Sequence, residues 1–269
     1  MDAFLSYEFL QRALLMAVAG GSVCGAMGVF VVLWRMSLVG MCISHAAFAG
    51  ALIGLWLGAP PLAGGLAASL GAASLVGPLA DRPGFSLDTA IGVIFSVVMS
   101  LAMLALGLLP GAKTEGLSLI WGSLLSVTSF DLGLMAGTGA VLFSFIFFFF
   151  KEIQAIIGQR RAALASGIPA KQIYYASLIL MGLVVAFALK AIGGLLIYAL
   201  IVTPAATALQ LTYSLKRMFL LSALLGALAS AVGLWLSFYL ALPPGAAIVL
   251  VAAGLLFLAM LFSPKKNRI

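Results

Sequence analysis

The stretch VGMCISHAAFAGALIGLWLG (39–58) decides the fold, because it runs twenty residues without an Asp, Glu, Lys or Arg. Wound as an α-helix, it reaches about 30 Å, the thickness of the hydrocarbon of a bilayer. Breaks at Gly/Pro clusters and charges divide the rest of the chain in the same way. Nine apolar spans result, at about 10–33, 39–58, 62–80, 88–109, 131–150, 172–189, 191–210, 218–240 and 246–262. A tenth apolar piece, 116–127, is too short and too rich in Gly and Ser to cross. It reads as an interfacial or re-entrant helix within an extracytoplasmic segment, 110–130. A transmembrane β-barrel needs ten-residue segments of alternating polarity, and these runs are continuously apolar. The expectation is an all-α polytopic membrane protein, one transmembrane domain over 1–269.

Composition agrees. Of 269 residues, 64% are hydrophobic and 8% charged, and the mean hydropathy is +1.26. A soluble domain is about 45–50% apolar and about 25% charged. Fourteen Lys+Arg and seven Asp+Glu are too few to clothe a water-facing surface. The +7 net charge does not indicate nucleic acid, because the basic residues sit in short breaks and form no solvated face. Two cysteines, Cys24 and Cys42, both in apolar stretches, make no disulfide framework.

Several chemistries are missing as well. There is no Gly-x-x-x-x-Gly-Lys-Ser/Thr loop to cradle ATP phosphates and no His-Glu-x-x-His zinc motif. A Ser/His/Asp hydrolase would have to use His45, the single histidine, with Asp81, Asp88 and Asp131 all at span ends. No catalytic or cofactor site is assigned. Transport remains, powered by an ion gradient or by a partner ATPase.

With nine spans the breaks alternate between two faces. One face holds eleven basic residues: Arg35, Arg82, Lys151, Arg160, Arg161, Lys171, Lys216, Arg217, Lys265, Lys266 and Arg268. The other holds Arg12, Lys113 and Lys190. Cytoplasmic loops carry the excess of Lys and Arg, so the N-terminus is expected outside and the C-terminus in the cytoplasm. The first span has acidic flanks, Asp2 and Glu8, and no small-residue cleavage site before soluble sequence, so it is not read as a signal peptide.

The sizeable cytoplasmic break is 151–171, KEIQAIIGQRRAALASGIPAK. Ile153, Ile156, Ile157 and Leu164 fit one helical stripe, with Gln154, Arg160 and Arg161 off it. Gly167 suits a helix C-cap, and Pro169 bars continuation. A short amphipathic helix across the cytoplasmic mouth is expected. Small-xxx-small pairs, Gly21/Gly25, Gly50/Gly54, Gly54/Gly58 and Gly133/Gly137, allow close approach of helices in lipid. The Phe run from Phe143 to Phe150 reads as lipid-facing bulk. Pro204 lies inside a span, frees a carbonyl four residues back and can kink the helix.

SLVGMCISHAAFAG (37–50), after VVLWRM, resembles the opening of the membrane permeases of bacterial zinc and manganese ABC importers. That family reads Arg-Met-x-Leu-x-Gly-Asp-Ala-x-Ser-His-Ala here; Arg35, Met36, Leu38, Gly40, Ser44, His45 and Ala46 match. DTAIGVIFS (88–96), LSLIWGSLLSVTSFDL (117–132), ALASGIPAKQI (163–173), LKAIGGLLIYALIVTPAATA (189–208) and LPPGAAIVL (242–250) are similar to further family segments, in order. Each is weak alone; six in register are strong.

The resemblance implies one half of a homodimeric permease in the cytoplasmic (inner) membrane of a prokaryote. An ATPase subunit lies under each copy, and an extracytoplasmic metal-binding protein delivers the cargo. The architecture is related to the cobalamin and siderophore permeases. ATP belongs to the partner subunit, and this chain holds no cofactor of its own beyond the metal ion in transit. The 151–171 helix becomes the coupling helix, with Ala165, Gly167 and Pro169 facing the ATPase. Ser44, Thr203 and Pro204 fall along the gate or pore.

One departure affects the cargo. Where the family has Asp after the Gly, this chain has Met41, followed by Cys42. In the family that Asp and the His four residues on contact the metal. Met41 and Cys42 stand at i, i+4 and i, i+3 to His45, so all three can meet on a helix. Thioether, thiolate and imidazole form a softer set, which favours zinc or copper(I) over manganese; packing alone also suits both sulfurs. Besides a purely structural membrane scaffold, two other transport readings stay open at this stage. One is an ABC permease for a non-metal or chelated cargo. The other is a gradient-driven secondary transporter, which needs ionisable groups within spans, where only His45 lies.

Overall fold

The computed structural model describes residues 7–108, 122–263 and 265. They form ten α-helices: α1 Glu8–Leu33, α2 Ser37–Trp56, α3 Pro61–Ala80, α4 Leu87–Leu108, α5 Ser129–Phe148, α6 Phe150–Ala165, α7 Ala170–Ile192, α8 Gly194–Leu211, α9 Leu215–Leu240 and α10 Pro244–Leu261. A 3₁₀ turn, Leu124–Ser126, precedes α5, and the described residues contain no strand. Eight of these helices are long and apolar enough to cross a membrane, and a shorter apolar stretch, Leu196–Leu211, lies where the remaining span was expected. Most of the 110–130 segment falls on 109–121, outside the described residues.

Every expected span corresponds to a helix, but one boundary moves. Lys190 reads in sequence as a break between spans, yet α7 continues through it to Ile192. A cation in the last turn of a helix faces the negative end of the helix dipole. Lys190 also has a partner, because its Nζ donates to Asp131 Oδ2 at 2.9 Å. The true break is Gly193, whose φ of 90° and ψ of 144° reverse the chain between α7 and α8 in a single residue. A side chain with Cβ is strained at that φ.

Small residues build the centre of the bundle. α1, α2 and α7 are its most enclosed spans, with 72%, 72% and 67% of their most apolar windows buried, against 22% for α4. α1 lies along α9, and α2 along α3. Gly21 and Gly25 face Gly226 and Ser222, so closely that a Cβ on any of the three glycines would overlap backbone across the crossing. Ser222 adds an interhelical hydrogen bond, its Oγ donating to the Gly25 carbonyl at 2.5 Å. Gly50 and Gly64 form the same contact between α2 and α3. Gly133 and Gly137 do not, because space is open around both. Their face of α5 points away from this chain.

The Phe run divides. Phe147 and Phe148 are 78% and 75% exposed, while Phe145 packs on Phe30, ring centroids 6.3 Å apart.

Three long-range contacts join helix ends that the alternation of nine spans assigns to the same face. Lys190 meets Asp131 on one face. On the other, Asp81 meets Lys171 and Tyr175, and Ser263 Oγ donates to the Gln210 carbonyl at 3.0 Å. Two spans separate the partners of each pair; an odd number would have set them on opposite faces, so the alternation is internally consistent.

Candidate functional site

The chain enters α2 through a tight reversal. Arg35 takes a left-handed φ of 56° just after α1. Its N–H donates to the Val32 carbonyl at 3.3 Å, and that of Met36 to Val31 at 3.0 Å. These are the two bonds of a Schellman ending, with buried Met36 as its apolar contact. The reversal sets the start of α2, and with it the face that His45 presents.

Positions 38, 41, 45, 48 and 52 lie along one face of α2. Leu38 is 45% exposed, Met41 and His45 are partly exposed, and Phe48 and Leu52 fall to 4% and 0%. This face is therefore reachable from the N-terminal end of α2 and closes one turn beyond His45. His45 stands eight residues into the helix, about 12 Å along its axis.

The imidazole is held from two sides. His45 Nδ1 lies 2.8 Å from the Met41 carbonyl oxygen. A carbonyl only accepts, so Nδ1 carries a proton, and in the neutral ring the lone pair then falls on Nε2. Phe95 of α4 meets the ring edge-on, with centroids 5.2 Å apart at 75°. A hydrogen bond on one ring nitrogen that orients the other is how proteins prepare histidine for a metal.

The neighbouring residues fare differently. Cys42 is fully buried in the apolar core. Ser44 is also fully buried, and its Oγ donates to the Gly40 carbonyl at 2.8 Å within α2. Met41 and His45 thus share the accessible face, and Cys42 and Ser44 point into the bundle. Among the described residues no three His, Cys, Asp or Glu side chains cluster as a metal site. On this face the described residues bring together one imidazole and one thioether.

On α8, Tyr198 packs toward Gly40, where a Cβ would lie 3.6 Å from its ring. Farther along α8, Pro204 is buried and Thr203 partly buried; the Thr203 carbonyl accepts from Thr207 Oγ at 2.8 Å. The roles of Phe95 and Tyr198 went unassigned in sequence. Phe95 does fall within the 88–96 segment singled out there, but nothing in one sequence pairs it with His45.

The expected cytoplasmic helix is α6. Non-helical dihedrals at Gln159 (φ −150°, ψ 95°) break its register. Ile153 and Ile156, before the break, are buried; Leu164, after it, is 46% exposed and leaves the expected stripe. α6 ends as Gly167 suggested. Gly167 has φ 78°, its N–H donates to Leu164 and that of Ile168 to Ala163, each at 3.1 Å. Ala165, Gly167 and Pro169 are all exposed, on the rim of this turn.

A family profile described as "ABC 3 transport family" matches residues 6–263. The chain belongs to this family. Among its relatives is a manganese transport system membrane protein, MntC, of Halalkalibacterium halodurans, 33% identical over 99% of this chain and 91% of that protein. Another is a manganese import system permease protein, ScaB, of Streptococcus parasanguinis, 33% identical over 100% of this chain and 95% of that one. Among solved structures, PsaBC from Streptococcus pneumoniae, in complex with Fab, matches with a TM-score of 0.88 at 33% identity, covering 99% of this chain and 96% of its own. An inward-facing metal-chelate type ABC transporter shares the fold, with a TM-score of 0.78 at 14% identity over 94% and 86% of the two chains. This ABC 3 family member therefore has the all-helical, multi-pass architecture that its motifs implied.

Proposed function

We propose that this chain is the membrane permease of an ATP-driven importer that carries a divalent transition-metal ion, manganese before zinc, across the cytoplasmic membrane. The observation that carries this reading is the accessible face of α2, where Met41 and a metal-ready His45 sit together. Relatives named for manganese transport over nearly the whole chain support the cargo. The soft donors noted in sequence argue for zinc, but Cys42, the softest of them, is packed in the core. ATP hydrolysis belongs to a separate subunit docked on α6 and the 165–169 turn. An extracytoplasmic binding protein supplies the ion, and a second copy of the chain completes the passage.

One imidazole makes a weak site, and a transit site must release its ion. Two copies meeting across an axis bring two imidazoles to bear without trapping it. The eleven-to-three basic asymmetry puts the N-terminal end of α2 in the cytoplasm. The accessible face of α2 then leads from His45 inward.

Two measurements test this reading. Cells that lack their own manganese importer, given this chain with its ATPase and binding protein, should accumulate manganese from trace medium. Accumulation of no tested metal would overturn the proposal. For orientation, a periplasm-active reporter fused after Ile269 should be silent and one near Gly111 active; the reverse pair of results would invert the topology.

A further inference from the structure

We propose that Asp81, Lys171 and Tyr175 form the joint through which movement of the α6–α7 turn reaches the helices that carry the ion path. The inference rests on the coupling role proposed for that turn.

Asp81 caps the C-terminal end of α3, its N–H donating to Gly77 at 3.0 Å. Its Oδ2 accepts from Lys171 Nζ at 3.1 Å and from Tyr175 Oη at 2.9 Å. Lys171 and Tyr175 stand at i, i+4 in the first turns of α7, directly after the exposed Gly167–Pro169 turn. The Tyr175 ring lies against Gly77, where a Cβ would overlap it, so the absence of a side chain there admits the phenol to Asp81. From this point α3 runs along α7 on one side and along α2 on the other. Its backbone abuts that of α2 at Gly64 and Gly50, about one turn beyond His45. A push at the α6–α7 turn thus has a continuous path of packed backbone to the helix that bears His45.

Two features suit this arrangement to motion rather than to stability. The Lys171 and Asp81 side chains are 59% and 42% exposed, and exposed ion pairs add little to folding, so the contact can break and re-form cheaply. A cavity of about 240 Å³ lies beside it, lined by Trp34, Gly77, Asp81, Ile156 and Tyr174 among others. It leaves unfilled room between α6, through Ile156, and the end of α3.

The test uses the complete complex, with its ATPase and binding protein, in proteoliposomes, and reads manganous ions moved per ATP hydrolysed. Asp81→Asn and Tyr175→Phe should each lower that ratio about fivefold or more, within the usual range of site-to-site coupling. Yield and melting temperature should stay unchanged. Asp81→Glu should restore the ratio, and the charge-swapped pair Asp81→Lys with Lys171→Asp should recover part of it. Tyr175→Phe keeps the ring on Gly77 and removes only the hydroxyl, so it separates the joint from packing. An unchanged ratio in both Asp81→Asn and Tyr175→Phe overturns the proposal. Gly167→Val serves as the reference. If it uncouples the complex and the Asp81 variants do not, the joint alone is wrong; if it too leaves coupling intact, the docking role of the turn falls with it.

Discussion

Replacing His45 with alanine abolishes metal uptake while the protein reaches the membrane at normal abundance. The two halves of this expectation have separate grounds. Abundance holds because the substitution gives up little packing. The edge-on contact with Phe95 is worth about 0.5–1.5 kcal/mol, and the Nδ1 hydrogen bond is made to a carbonyl within the same helix. Uptake fails because Nε2 is the only imidazole donor in the chain, and no cluster of three His, Cys, Asp or Glu stands elsewhere among the described residues to replace it. His45→Gln should also fail, since an amide is a poor ligand for a transition metal. Met41→Ala should weaken uptake and shift its metal preference, as its thioether shares the accessible face. Cys42→Ala should leave the preference between manganese and zinc unchanged, because the thiol is packed in the core. Uptake of manganese and zinc by His45→Ala at the wild-type rate would remove the site, and selective loss of zinc in Cys42→Ala would return its sulfur to the ion.

The membrane-spanning helices were legible in sequence because lipid replaces water as their solvent. A chain in lipid must satisfy its backbone within each span, so long charge-free runs have few alternatives. The sharing of a face by Met41 and His45 was equally legible, since it follows from helical spacing. The burial of Cys42 was not. α2 is apolar all round, so its sequence carries no polar face to say which side meets the bundle. The kink at Gln159 was also hidden, and it alone moves Leu164 off the buried stripe. The Asp131–Lys190 and Asp81–Lys171 pairs join residues 59 and 90 positions apart, a separation at which a single sequence gives no pairing signal. Lys190 read as a span boundary for that reason, although its charge is answered by Asp131.

Gly50→Leu is expected to cost the protein its fold, the largest structural effect of any single change proposed. α2 and α3 are antiparallel neighbours joined by a four-residue connection, Leu57 to Pro60, and they cross at Gly50 and Gly64. A Cβ on either residue would overlap the carbonyl of the other, and one on Gly50 would also overlap the Ala68 methyl. The obstacle is backbone on both sides, so no rotamer relieves it and the helices must separate. Overpacking a tight core costs about 1–3 kcal/mol even where side chains can yield, and here none can. Separation also forfeits the dispersion contacts that hold helices together in lipid, where no hydrophobic drive compensates. Gly50→Leu should therefore fall sharply in membrane abundance and in unfolding temperature, and the Asp81 joint would lose the contact through which α3 reaches α2. Gly133→Leu is the matched control, with nothing within 4 Å of its Cβ position. It should accumulate normally, and a defect confined to assembly of the complex would show that this open face of α5 meets a second protein. Wild-type abundance and unfolding temperature in Gly50→Leu would mean that the two helices do not cross there.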